Sequence, residues 1–262
     1  MKVLISDKLS QEGIDVLNDV DGIQIIYKTN LEPEDLKNEI RDVEALIVRS
    51  STQVTKEVLS EAKKLKIIGR AGIGVDNIDC SAATERGVIV INTPSGNATT
   101  TAEHTIAMLM SLSRHIPQAD RSMHQGSWEK AKFTGTEITG KVLGIFGFGN
   151  IGKIVADRAL GLRMRVLVSD PFLNEQVAAK HGFELVSNDV LFKRSDYISV
   201  HVPLNETTRN MIDHKTIQAM KTGVSILNCA RGGIVSESAL LDGLNSGKIA
   251  GAAIDVFEEE PP

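Results

Sequence analysis

"KVLGIFGFGNIGKIVADRAL", Lys141–Leu160, decides how the whole chain is read. It opens on an apolar run of strand length, "KVLGIF", and closes on the helix-like "IGKIVADRAL". Between them Gly147, Gly149 and Gly152 stand in G-x-G-x-x-G order. Alone that pattern is weak; between a strand and a helix it has a mechanism. The first glycine makes the tight turn, the second lets backbone approach a pyrophosphate, and the third allows close helix–strand packing. The opening helix adds free N–H groups and a dipole that favours phosphate. Asp170 ends the next strand, "RVLVSD", where an acid accepts from the ribose hydroxyls of a dinucleotide and repels a 2′-phosphate. NAD(H) is therefore expected rather than NADP(H). Arg163 and Arg165 precede that strand end and are not read as 2′-phosphate ligands. A glycine-rich turn without a ligand is the plainer alternative, and the agreement of strand, glycines, helix and acid disfavours it.

The pattern extends in both directions. Upstream, "KVLIS", "IQIIY", "ALIVR", "KIIGR" and "VIVIN" alternate with the helix-like "QEGIDVLND", "EPEDLKNEI", "TKEVLSEAKK" and "CSAATERG". Downstream, "RVLVSD", "YISVHV", "VSILNC" and "AAIDVF" continue the series, with "ELV" a weaker strand. Alternating β and α segments imply parallel sheets covered on both faces. The fold class expected is α/β, two doubly wound parallel-sheet domains over residues 1–97 and 98–262. The Pro/Gly/Asn/Thr cluster "NTPSGNAT" serves as the hinge. Thr100 and Glu103 have capping-box spacing for a helix reaching toward Pro117, and residues 115–140 are less periodic.

Composition narrows the function. With 42 % apolar and 24 % charged residues the chain can bury a core, and its net charge of −5 speaks against nucleic acid as a main partner. No apolar run reaches membrane-spanning length, so no membrane partner is expected. The start "MKVLISD" reads as a strand, without a signal peptide. Cys80 and Cys229 are far apart and lack metal-type spacing, so a reduced, cytoplasmic setting and no metal site are expected.

A second stretch, "NCARGGIVSE", Asn228–Glu237, places Arg231 just past a strand and before two glycines, as a group held toward a small anion. Gly72 and Gly74 in "GRAGIGVDNID" open no long helix. That segment is either an anion-holding turn or a bare one.

Taken with "AATERGVIVINTPSGNATTTAEH", "VHVPL" and "GAAIDVFEEEPP", these segments resemble the NAD-dependent D-2-hydroxyacid dehydrogenases over nearly the whole chain. The resemblance implies a flavodoxin-like lid domain plus a Rossmann NAD-binding domain. It also implies an active site between them and a homodimer built through the Rossmann domain. Matched position by position, Arg231 would hold the carboxylate of a 2-hydroxy or 2-keto acid, and Glu260 would pair with the family's catalytic histidine. Asn150 and Ile151 would meet the pyrophosphate and Val202 would flank the cofactor. Cys229, Ala230 and Asp255 would stand at the nicotinamide. Arg49, Ser50, Gly72 and Ile73 would form the substrate pocket, with Arg49, and Lys130 or Lys132 of the partner subunit, meeting a substrate phosphate. Cys229 has no activating base beside it in sequence and is read as a small buried residue, and Glu258 and Glu259 as solvated charges.

One part of the family pattern is wanting. The acid/base histidine should follow "EEEPP", and none of the six histidines stands in that context. The chain is therefore expected to be C-terminally truncated, without the last Rossmann strand and the segment returning to the lid. A phosphorylated 2-hydroxy acid is the substrate expected first. Members acting on glyoxylate, hydroxypyruvate or D-lactate remain open, as does a non-catalytic NAD-sensing protein of the corepressor kind.

Overall fold

Parallel ladders organise both halves of the chain. The computed structural model describes residues 1–262 and divides into two units, Met1–Asn97 and Ala98–Pro262. In the first unit the strands are β1 (Lys2–Ile5), β2 (Gln24–Tyr27), β3 (Ala45–Val48), β4 (Ile67–Arg70) and β5 (Ile89–Asn92). They alternate with the helices α1 (Gln11–Asn18), α2 (Pro33–Glu39), α3 (Lys56–Glu61) and α4 (Cys80–Glu85). The side chains of Ser10, Thr55 and Asp79 start α1, α3 and α4 by accepting an N–H three residues on. The sheet runs β2-β1-β3-β4-β5, all parallel, which is the flavodoxin-like order. Leu4, Leu46 and Ile68 from its central strands pack with Leu36, Val58 and Leu59 from the helices, all essentially sealed from solvent.

The second unit opens with α5 (Ala98–Arg114) and α6 (Ile116–His124). Its strands are β6 (Val142–Phe146), β7 (Arg165–Ser169), β8 (Glu184–Leu185), β9 (Tyr197–Val200), β10 (Val224–Asn228) and β11 (Ile249–Ile254). The crossovers are α7 (Asn150–Gly161), α8 (Glu175–Lys180), α9 (Asn188–Arg194), α10 (His214–Ala219) and α11 (Glu237–Asn245). The sheet order β11-β10-β9-β6-β7-β8 is that of a Rossmann sheet read from its sixth strand to its third. Six strands fill that order, so the expected lack of a last strand leaves no gap within it. β6, β9 and β10 are buried along their whole length, which explains their unbroken apolar runs.

Three local expectations need correction. The helix after the hinge begins at Ala98, so Thr100 lies inside it and does not cap it, while Glu103 reaches Arg158 at 3.9 Å. The segment after His115 is helical: His115 turns left-handed at φ 53°, and Pro117 sits in the first turn of α6, where its missing N–H costs nothing. The last strand ends at Ile254 and not at Phe257. A register shift beside Val224 starts the pairing early, and the Asp255 N–H makes the closing bond to the Asn228 carbonyl at 3.0 Å.

Candidate functional site

Because every strand of the second sheet is parallel, the residues that follow β6, β7, β9, β10 and β11 emerge on one edge. These are Gly147, Asp170, His201 with Val202 beyond it, Cys229 and Asp255. The sheet order reverses between β6 and β9, and there Gly147 turns the chain at φ 89°. A Cβ on Gly147 would stand 2.7 Å from the His201 carbonyl oxygen and 2.9 Å from a Val202 methyl. At Gly152 it would meet the Gly147 carbonyl oxygen at 2.0 Å, so α7 could not lie so close to the loop. At Gly149, the N-cap of α7, it would meet nothing within 4 Å. The two flanking glycines are thus required by protein packing, whereas the middle one faces open space at a helix N-terminus whose cap has no side-chain partner. Asn150 and Ile151 begin that helix, Asn150 exposed and Ile151 partly packed into the core.

Asp170 carries the loop. One carboxylate oxygen accepts the Phe148 N–H at 2.7 Å and the other accepts the Phe172 N–H at 2.8 Å. The Phe148 ring meanwhile packs on Phe183, 4.5 Å between centroids, which anchors the loop from below. The lone pairs that remain on Asp170 suit sugar hydroxyls. Glycine loop, helix terminus and acid fit a dinucleotide such as NAD, with Gly149 giving the room a pyrophosphate needs. His201 lies behind the loop: its Nε2 is 2.9 Å from Ser199 Oγ, and burial pushes its pKa down from 6.5 to about 4. Its place is structural.

The "NCARGG" turn is held by a residue to which sequence reasoning gave no role. Asn228, 2 % exposed, accepts the Ala230 N–H at 3.1 Å and donates to the Arg231 carbonyl at 2.9 Å, latching the turn from inside. A Cβ at Gly232 would fall 1.7 Å from the Phe257 carbonyl oxygen, so the turn lies directly on the chain that follows β11. The Arg231 guanidinium donates to the Ala230 carbonyl at 2.6 Å, curled over its own turn. Cys229 is buried beneath; burial raises its thiol pKa and the Thr105 hydroxyl partly offsets this. Beside it, Asp255 Oδ1 is 3.4 Å from His104 Nε2. The reactive atoms of His104, Cys229 and Asp255 all lie within 4.8 Å of one another, a grouping that no sequence spacing reveals.

Glu260 accepts the Phe257 N–H at 3.0 Å. The histidine ion pairs are His104–Asp255, His124–Asp120 and His214–Asp242, and Glu260 is in none of them. Glu258 is not a merely solvated charge. It accepts the Glu237 N–H at 3.0 Å at the start of α11 and gives its own N–H to Glu237 at 2.7 Å, a reciprocal pair like a capping box.

In the first unit, Arg49 and Ser50 follow β3, and Gly72 and Ile73 follow β4. The loop after β3 is clamped from both sides. Asp7, buried beyond β1, accepts the N–H groups of Arg49 and Thr52. Asn77 gives both hydrogens of its amide to the Arg49 and Thr52 carbonyls, each at 2.7 Å. Arg49 and Ser50 are left exposed at the tip. The Gly72 N–H is spent on the Arg70 carbonyl at 2.8 Å, which removes it from any anion nest. Gly72 also makes room for the Arg70 side chain, since a Cβ there would lie 1.6 Å from its guanidinium. Arg70 pairs with Val48 in the ladder, one residue from Arg49. It is a second cation at this edge, visible in the sequence only as the residue before "AGIG". Lys132 already pairs with Glu129 at 3.3 Å. No helix is long and apolar enough to cross a membrane.

Comparison with known proteins agrees with this geometry. Residues 106–262 match the model of the D-isomer specific 2-hydroxyacid dehydrogenase NAD binding domain. D-3-phosphoglycerate dehydrogenase of Archaeoglobus fulgidus is 48 % identical over 262 residues, covering 100 % of this chain and 50 % of the relative. The enzyme of that name from Bacillus subtilis is 48 % identical over 261 residues, 100 % of this chain and 49 % of the relative. The chain spans about half the length of the curated relatives it matches. Among solved structures, D-lactate dehydrogenase of Aquifex aeolicus, complexed with NAD and lactic acid, superposes with a TM-score of 0.88 at 31 % identity, covering 99 % of this chain and 78 % of that one. A glyoxylate reductase from Paecilomyes thermophila gives 0.87 at 32 % identity, covering 100 % and 83 %. The glycine loop and its acid lie within the part matched to that NAD binding domain, and the chain belongs to the D-isomer specific 2-hydroxyacid dehydrogenase family.

Proposed function

We propose that the chain serves the NAD-dependent oxidation of 3-phosphoglycerate to 3-phosphohydroxypyruvate, the first step of serine biosynthesis. The observation that carries this reading is the 48 % identity across the full 262 residues to a D-3-phosphoglycerate dehydrogenase. The match to the solved D-lactate dehydrogenase, by contrast, is at 31 %.

Bound at the glycine loop, NAD supplies the hydride acceptor. Gly147, Gly149 and Gly152 with the first turn of α7, Asn150 and Ile151, hold its phosphates; Asp170 holds the adenosine ribose, and Val202 flanks it. Cys229, Ala230 and Asp255 line the nicotinamide end. The Arg231 fork, which donates to the Ala230 carbonyl here, is assigned to the substrate carboxylate, where its planar geometry allows a bidentate contact. Its charge also draws electrons from the neighbouring carbonyl in the reductive direction. Arg49, Ser50 and Ile73 form the substrate pocket, with Gly72 shaping it by leaving room for the Arg70 side chain rather than by donating its N–H. Arg49, exposed at the tip of the loop after β3, is assigned to the phosphate. Glu260 is assigned to hold charged the histidine that takes the hydroxyl proton.

A homodimer through Ala98–Pro262 and a cytoplasmic setting belong to the same reading, the latter supported by Cys80 and Cys229 being unpaired. Calorimetry on the NADH-loaded chain tests the substrate. 3-Phosphohydroxypyruvate should bind at least tenfold more tightly than hydroxypyruvate, glyoxylate or pyruvate, and Arg49→Gln should erase the difference. Equal binding of all four would move the chain to a sister activity of the family.

A further inference from the structure

His104, Cys229 and Asp255 come from three elements that the fold locks together. Cys229 and Asp255 are the residues just past β10 and β11, whose ladder pairs Asn228 with Ile254. His104 stands on α5, which packs across both strands. The His104 Nε2–Asp255 Oδ1 separation is 3.4 Å. In a tetrahedral zinc site with bonds of about 2.0 to 2.3 Å, neighbouring ligand atoms lie about 3.3 to 3.6 Å apart. The nitrogen–oxygen edge therefore already has coordination length. With all three atoms within 4.8 Å, the sulfur needs to approach by only about 1 Å, within reach of a small side-chain rotation.

The chemistry of the set is selective. One imidazole nitrogen, one thiolate sulfur and one carboxylate oxygen make a borderline-soft donor group suited to Zn²⁺ and unsuited to Mg²⁺ or Ca²⁺. Two anionic ligands neutralise a divalent charge beside a buried strand end. His104 and Asp255 are about half exposed, at 48 % and 50 %, so an ion reaches the site from solvent, while the sulfur forms its buried floor. A simple His–Asp ion pair accounts for two of the three groups, and the thiol, beside the Thr105 hydroxyl, stands close enough to serve as the third donor.

We propose that His104, Cys229 and Asp255 bind one zinc-class divalent ion, and that this ion and the nicotinamide end of NAD exclude one another. The exclusion rests on the assignment of Cys229 and Asp255 to the nicotinamide; the metal site does not. On binding, the Cys229 thiol releases its proton to solvent as the sulfur–metal bond forms, and no electron is transferred. The ion thereby acts as a reversible brake on cofactor binding.

Co²⁺ titration of the untagged chain without dinucleotide tests the site. One equivalent should give tetrahedral visible bands with a thiolate-to-cobalt charge-transfer band, displaced by Zn²⁺. Cys229→Ser should abolish the charge-transfer band. His104→Ala, a change at a half-exposed position whose folding is checked by circular dichroism, should weaken Co²⁺ binding at least tenfold. Absence of the band, or its persistence in both variants, overturns the site. Saturating NADH should raise the apparent Co²⁺ dissociation constant at least tenfold. If NADH binds and leaves it unchanged, the exclusion is overturned and the site stands. If NADH does not bind at all, the failure belongs to the cofactor assignment.

Discussion

The carboxylate of Asp170 accepts the backbone N–H of Phe148 at 2.7 Å, so the acid that ends β7 also braces the glycine loop before α7. One residue thus shapes the loop and keeps spare carboxylate lone pairs at its edge. Hydrogen bonds to charged groups contribute about 1.5 to 3 kcal/mol each. Asp170→Ala should therefore weaken NADH binding by roughly 10- to 100-fold and narrow the discrimination against NADPH. Fluorescence titration with both dinucleotides measures each effect, and unchanged NADH affinity would contradict the assignment.

The glycines of the loop should separate stability from binding. Gly149 has extended backbone that alanine adopts, and its Cβ would meet no protein atom within 4 Å. Gly149→Ala should keep stability within about 0.5 kcal/mol and weaken NADH at least tenfold. Gly152→Ala, whose Cβ would sit 2.0 Å from a carbonyl oxygen, should cost about 1 to 3 kcal/mol or more. Thermal melts and NADH titrations of both variants give the comparison.

Asn77 should matter to the first unit alone. Asn77→Ala leaves the Arg49 and Thr52 carbonyls without their buried donor, a loss of about 2 kcal/mol. Substrate affinity should fall with it as the Arg49 loop loosens, while NADH affinity holds. Urea unfolding and the two binding titrations read these separately. Equal loss of NADH binding would show that the effect is not confined to the loop.

His201 predicts an acid limit. Its folded pKa, depressed to about 4 by burial, lies below the 6.5 of an exposed histidine. The stability gained from its neutral ring is complete above about pH 6.5 and is lost as pH falls toward about 4, where both folded and unfolded forms are protonated. At about 1.4 kcal/mol per pKa unit the whole effect is roughly 3 kcal/mol. His201→Gln keeps a partner for Ser199 and cannot titrate, so its stability should fall less than that of the native chain between about pH 7 and about pH 4.5. Denaturant melts at stepped pH give both curves, and parallel curves would refute the assignment.

Legibility in the sequence followed periodicity. The central strands of the second sheet read as unbroken apolar runs because β6, β9 and β10 are buried along their whole length, while the edge strands β2, β5 and β8 were legible from β-branched or apolar residues despite partial exposure. The glycine loop and Asp170 were visible because strand, turn and helix are consecutive. What escaped was held by tertiary structure. Asp7 and Asn77 grip Arg49 from loops on either side, and Asn228 latches Arg231 from within the turn; a polar side chain shows no such partner in a linear pattern. The grouping of His104 with Cys229 and Asp255 depends on how α5 crosses two strands. The second helix, α6, was hidden by Pro117, which reads as a stop and here marks a start.

The division of strands between the sheets bears on biosynthesis. The first sheet takes all five of its strands from Met1–Asn97, and the second takes all six from later residues. Each parallel pair must await its crossover, which makes such sheets slow to form. On the ribosome, though, the first unit can complete every ladder before the glycine loop has been synthesised. At about 5 to 20 residues per second, synthesis of the later residues gives it several seconds to fold alone. Slow codons just after the hinge would lengthen that interval and should raise the yield of folded chain.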